Sequence, residues 1–240
     1  MKRNRTNWFG FNTIKSLYKQ RQQLKVLDLF SGLEGWSEAF RDRGHKVLTL
    51  DNDSRFDSDF CVDIRRFQLK DLPWKPDVIL ASPPCNAFSV ASIGKHWGGG
   101  KRAYEPNSDM ARLSMNLIRH TKKLFEIIDP DFFILENPRG VLRKLHLLDE
   151  LERRTVTYCQ YGETRMKPTD LWGAFPPSLR LEPPCKNGDP CHEPAPRGAR
   201  TGTQGLNRFE SAKIPYELSL AVCVAAEMDN EAGVRGSRPW

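Results

Sequence analysis

The chain has 240 residues, 39% of them hydrophobic, and no apolar run near the ~18 residues of a membrane span; this suits one α/β domain with a small appendage and excludes an integral helical membrane protein. Six dispersed cysteines do not resemble a disulfide framework and no apolar leader opens the chain, so a reducing, cytoplasmic setting is expected rather than secretion. The formal net charge of +7 is largely a basic arm over residues 1–23 (Lys2, Arg3, Arg5, Lys15, Lys19 and Arg21, with no acid), which suits a polyanionic partner or a solvated tail.

In chain order, Leu24 to Phe30 is the first apolar strand, followed by the glycine-bearing turn Ser31–Gly35 and a helix over Trp36 to Arg43. Strand, glycine turn and helix open a nucleotide-binding βα unit, because glycines admit close backbone approach and the helix N-terminus faces the ligand. Glycine turns that bind nothing are also common. A second strand, His45 to Leu50, ends in Asp51, placed to bond ribose hydroxyls. A short strand over Phe60 to Val62 ends in Asp63, another acid at a strand tip. Val78 to Ala81 shows no polar alternation, as expected of a strand buried on both faces of a parallel sheet. Pro83 and Pro84 end its ladder and present Cys85 where such sheets hold their ligand crevice. Thiolate is a strong nucleophile, although a lone cysteine is more often inert and buried.

Ser92 to Asn107, with three consecutive glycines, reads as a mobile basic loop. Ser108 caps the next helix, whose apolar stripe is Met110, Leu113, Leu117, Leu124, Ile127 and Ile128. Asp131 to Leu135 is another buried strand, ending in Glu136 and Asn137. Leu142 to Arg154 has helical spacing, Thr155 to Cys159 is β-rich, and Tyr161 to Lys167 forms a turn with two cations. Residues 174–212 are rich in Pro, Gly and Arg; Ile214 to Met228 closes as an apolar helix, and residues 229–240 are expected to be disordered. Cys185, Cys191 and His192 are three potential zinc ligands, with Cys159 a possible fourth. The spacing is not a standard zinc spacing, and free cysteines in a loop are the expectation.

Four motifs in this order carry a family resemblance: DLFSGLEGW at 28–36, PPCNAFS at 83–89, LENP at 135–138 and YGETRMK at 161–167. The chain resembles the DNA cytosine-5 methyltransferases over roughly residues 24–172. That resemblance implies a Rossmann-like, doubly wound, mostly parallel α/β sheet that binds S-adenosylmethionine, with a small irregular C-terminal region. Phe30, Gly32, Gly35 and Pro83 would shape the cofactor pocket, Asp51 would bond the ribose and Asp63 the adenine amino group. Cys85 would attack C6 of cytosine, Glu136 would hold N3, and Arg165 would support the base or the thiolate. The expected division is a basic arm (1–23), a catalytic domain (24–173), a short DNA-recognition region (174–212) with Arg180, Arg197, Arg200 and Arg208, a closing helix (213–228) and a tail. A monomer acting on DNA is expected. RNA as substrate, or a nucleic-acid-binding pseudoenzyme of the same fold, are the alternatives.

The sequence departs from the family pattern at several places. Glu34 replaces a glycine of the first turn, Asn86 stands where Gln is common and Pro138 where Val is common. Glu163 and Lys167 stand in the shortened cationic turn, and the family's Gly-Asn-Ser motif is not found near the C-terminus.

Overall fold

The computed structural model of the chain describes residues 22–194 and 209–240. The basic arm up to residue 21, and Arg197, Arg200 and Arg208 of the expected recognition region, lie outside the described residues.

Five strands run parallel: β1 (Lys25–Leu29), β2 (Lys46–Asp51), β3 (Phe60–Cys61), β4 (Val78–Ala81) and β7 (Phe132–Pro138). Two more, β8 (Glu152–Thr157) and β9 (Pro168–Ala174), complete a seven-stranded sheet of order β3-β2-β1-β4-β7-β9-β8. β9 is antiparallel to both its neighbours. The order reverses between β1 and β4, and at such a switch point the strand ends splay apart and leave a crevice.

Alternate side chains of the central strands enter two cores, one on each face. Leu27, Leu29, Ile79, Ala81, Phe133 and Leu135 pack with Ile118, Leu124, Phe125 and Ile128 of one helix, α4 (Asp109–Ile128). Val26, Val78, Leu80, Phe132 and Ile134 pack on the other side with Trp36 and with Phe40 of α1 (Ser37–Asp42), and with Leu218 and Val222 of α5 (Tyr216–Glu231). The chain is therefore wound on both faces, as expected.

Four local expectations are corrected. Within residues 92–107 a short helix, α2 (Ile93–His96), leads into a small hairpin of β5 (Trp97–Gly98) and β6 (Glu105–Pro106), whose two strands are joined by a second short helix, α3 (Gly100–Ala103). Trp97 anchors this segment: its ring stacks on Phe88 and its indole N–H donates to the Ala87 carbonyl at 2.6 Å. In α4, capped by the Ser108 hydroxyl as anticipated, Met110 and Ile127 face outward, and Ala111, Ser114 and Thr121 take the buried positions. Leu142, Leu145, Leu148 and Leu151 are buried at a spacing of three, which suits 3₁₀ and successive turns better than an α-helix. The last residues are seated on the sheet instead of disordered: Gly236 N–H donates to the Asp131 carbonyl, Arg235 and Arg238 pair with Asp129 and Asp131, and Trp240 stacks on Phe133.

Candidate active site

The crevice at the strand ends is bounded by the turn after β1, the tip of β2, the loop after β4, the end of β7 and the segment leading into α5. In the first turn, Phe30, Gly32 and Glu34 all have positive φ, near 59°, 49° and 56°. Glycine takes that geometry freely; Glu34 takes it at a cost of about 1–2 kcal/mol and holds an ion pair with Arg41. Gly35 answers a different demand. A Cβ there would lie 2.6 Å from the Ile214 nitrogen and 2.7 Å from its carbonyl oxygen, so only glycine lets this backbone close the pocket wall.

Asp51 is buried at the β2 tip and holds the turn in shape. Its two carboxylate oxygens accept from Gly32 N–H at 3.0 Å and Asp53 N–H at 2.9 Å. A carboxylate has roughly four lone-pair sites, so acceptor capacity remains for a ligand hydroxyl. Phe30, Gly32, Gly35, Asp51 and Pro83 all line the cleft. Asp63 does not; its carboxylate is engaged by the Arg65 backbone N–H and guanidinium, which hold it near 2.

Cys85 lines the same cleft, past the Pro83–Pro84 turn. Its carbonyl accepts from Phe88 and Ser89 N–H, at 2.9 and 3.0 Å, which closes the chain into a turn immediately after the cysteine. The Asn137 amide donates to the Pro83 carbonyl at 2.9 Å and ties the β7 end to the cysteine loop. Glu136, on β7 beside it, is only 4% exposed and also opens into the cleft. Burial pushes its carboxyl above the usual range, opposed by the Lys167 cation and by the Tyr158 hydroxyl, which donates to it at 2.9 Å.

The turn 161–167 delivers a different cation from the one anticipated. Lys167 lines the cleft, with its ammonium 4.1 Å from the centre of the Tyr158 ring. Arg165 forms an ion pair with Glu193 and does not line the cleft. The turn is short, so only its last residue returns to the sheet where β9 begins. Tyr158, which the motifs did not single out, is the hydroxyl partner of Glu136. A further group gathers at the far end of β8: Cys159, Cys185, Cys191 and His192 bring one donor atom each to a common point.

Among the described residues, no helix is long and apolar enough to cross a membrane. A family model described as C-5 cytosine-specific DNA methylase matches residues 24–153. The chain is 31% identical over 173 residues to the "Probable DNA (cytosine-5)-methyltransferase" of Frog virus 3 (isolate Goorha), covering 68% of this chain and 78% of that protein. It is 29% identical over 147 residues to the "Type II methyltransferase M.AplI" of Arthrospira platensis, covering 55% of this chain and 38% of the relative. Among solved structures, the Entamoeba histolytica methyltransferase EhMeth aligns with a TM-score of 0.49 at 14% identity, over 69% of this chain and 57% of that one. On the extent of the family match and the identity to the viral relative, the chain belongs to the C-5 cytosine-specific DNA methylase family.

Proposed function

We propose that the protein transfers a methyl group from S-adenosylmethionine to C5 of cytosine in DNA, through a covalent bond between Cys85 and C6. The observation that carries this reading is the common opening of a nucleophile and a buried carboxyl of raised proton affinity, Cys85 and Glu136, into one cleft beside the Gly32–Gly35–Asp51 cradle. The cradle fits the donor: a backbone left open by glycine, an acid with spare acceptor sites, and the Phe30 and Trp36 rings nearby. Phe30, Gly32, Gly35, Asp51 and Pro83 are assigned to it. When bound, S-adenosylmethionine supplies an electrophilic methyl group on a sulfonium sulfur.

C5 of cytosine is a poor nucleophile in the aromatic ring. Addition of the Cys85 thiolate to C6 moves the C5–C6 π electrons toward C5 and N3. A proton from Glu136 at N3 neutralises the charge that develops there, and C5 becomes enamine-like. After methylation, transfer of the C5 proton to solvent water and expulsion of the Cys85 thiolate restore the C5–C6 double bond, and the N3 proton returns to Glu136. Asn137 holds the thiol-bearing loop through Pro83, and Tyr158 orients the Glu136 carboxyl. A base stacked in a duplex cannot reach a cleft at the ends of strands, so the cytosine is flipped out.

The test is a trapping experiment. DNA bearing 5-fluorocytosine keeps a C–F bond where a proton must leave, so a denaturant-resistant adduct should accumulate only with S-adenosylmethionine present. Cys85→Ala should abolish the adduct. An adduct of equal yield in Cys85→Ala would remove this cysteine from the reaction.

A further inference from the structure

Away from the cleft, four side chains with no part in the proposed reaction converge. Cys159 lies just past β8, and Cys185, Cys191 and His192 lie on the proline-bearing segment after Leu181. One donor atom from each lies within 4.8 Å of all the others. Cys159 Sγ is 3.2 Å from Cys185 Sγ and 3.6 Å from Cys191 Sγ. His192 Nδ1 is 3.7 Å from Cys185 Sγ and 3.5 Å from Cys191 Sγ.

These separations can be set against metal geometry. With Zn–S near 2.3 Å and Zn–N near 2.0 Å, the edges of a tetrahedral site are about 3.8 Å between sulfurs and about 3.5 Å between sulfur and nitrogen. Three of the four separations fall within about 0.2 Å of those edges, and the Cys159–Cys185 pair is the tight one. The three cysteines are free thiols. Three thiols and an imidazole facing one point make few good hydrogen bonds with one another; as thiolates and a neutral imidazole they complete a soft-donor shell. The surroundings hold the shell in place: Cys185 N–H donates to the Thr157 hydroxyl at 3.0 Å, and the Gln160 amide approaches Cys191 Sγ at 3.7 Å. The other cluster of ligand-type side chains, His45, Cys223 and Glu227, differs in kind, because the Arg43 guanidinium already neutralises Glu227 through two hydrogen bonds.

We propose that Cys159, Cys185, Cys191 and His192 bind a zinc ion in a closed Cys₃His site. With four protein ligands no position is open for water or substrate, so the ion is structural. It clamps a segment without regular secondary structure to the end of β8. Immediately beyond the ligands, Glu193 N–H donates to the Thr164 carbonyl at 2.8 Å and its carboxylate pairs with Arg165. The clamp thereby braces the turn that brings Lys167 to Glu136. A bound ion would do for this short region what a larger folded core does elsewhere.

The full chain, isolated without an affinity tag or chelator, should carry about one zinc per molecule by plasma mass spectrometry. Cobalt exchanged into it should show the visible ligand-field bands of tetrahedral coordination and a thiolate charge-transfer band. Cys185→Ser and Cys191→Ser should each lose the metal, and Cys61→Ser, at an exposed position remote from the cluster, should keep it. Because ligand variants risk misfolding, the wild-type readings decide on their own. Protein without zinc as isolated that also gives no tetrahedral cobalt spectrum overturns the proposal. So does a Cys159–Cys185 disulfide recovered by peptide mapping from metal-free native protein, or zinc retained in the Cys185→Ser/Cys191→Ser double variant.

Discussion

Asp28 lies in the centre of β1, 1% exposed, with one carboxylate oxygen accepting from the Ser37 hydroxyl at 2.6 Å and the other without a hydrogen-bond partner. Burial pushes its carboxyl from 3.8 up to about 7, with the Ser37 hydrogen bond and the Arg41 cation opposing and Asp51 adding to the rise. The native state therefore keeps a proton that the unfolded chain releases near pH 4. Between that pH and about 7 the native state binds more protons, so stability falls as pH rises, by up to ~1.4 kcal/mol per pH unit, and levels off above the window. The whole displacement corresponds to about 4 kcal/mol. Asp28→Asn removes the ionisation and keeps the shape. Urea unfolding of both proteins from pH 4 to 8, followed by circular dichroism, isolates the group as the difference between the two curves. That difference should be within ~1 kcal/mol at pH 4 and should grow in favour of the variant to between about 2 and 4 kcal/mol at pH 8. A difference that does not change with pH refutes a proton held on Asp28.

Two other outcomes follow from the cleft. Lys167→Met removes the cation that opposes the rise at Glu136, so the Glu136 carboxyl should titrate higher still. A rate that needs the protonated acid falls as pH rises through its pKa, so the alkaline fall-off of single-turnover methylation should move to higher pH; a shift to lower pH would contradict the donor role. Gly35→Ala drives a Cβ into the Ile214 backbone and should cost ~1–3 kcal/mol of thermal stability together with affinity for S-adenosylmethionine. Gly94→Ala, with nothing within 4 Å of the added carbon, should melt like the wild type, and equal melting of the two variants would mean that the 209–214 backbone gives way freely.

The central strands were legible because both their faces are buried, which leaves an unbroken apolar run at Val78–Ala81 and again at Phe132–Leu135. Cys85, Asp51 and Glu136 were legible for a related reason: each sits at or near a strand end, so local order alone fixes its place in the crevice. β9 escaped notice because Thr169 and Asp170 are wholly buried in it, and their suitability depends on distant partners. Asp170 is met by the Arg143 guanidinium and the Thr155 hydroxyl, both at 2.7 Å. That Lys167 and not Arg165 lines the cleft turned on how a short turn closes and on Glu193, neither of which a motif encodes. The Cys159 cluster depends on where a loop returns to the sheet, and spacing along the chain says little about that.

Helix α5 has a consequence for synthesis. It lies on the face of the sheet that also receives Leu24, Val26, Trp36 and Phe40, residues made near the start of the described chain. A ribosome adding ~5–20 residues per second reaches α5 on the order of ten seconds or more after β1. For that interval Trp36 and α1 alone cover this face, and the nascent chain leaves the rest of its apolar surface open to other proteins. Closure comes in one late step, when Leu218 and Val222 arrive and the Ser219 hydroxyl donates to the Trp36 carbonyl at 2.6 Å. A ribosome stalled short of residue 216 would hold a finished nucleophile loop on a sheet with one face only partly covered, and such a chain is a target for chaperones before it is a partner for DNA.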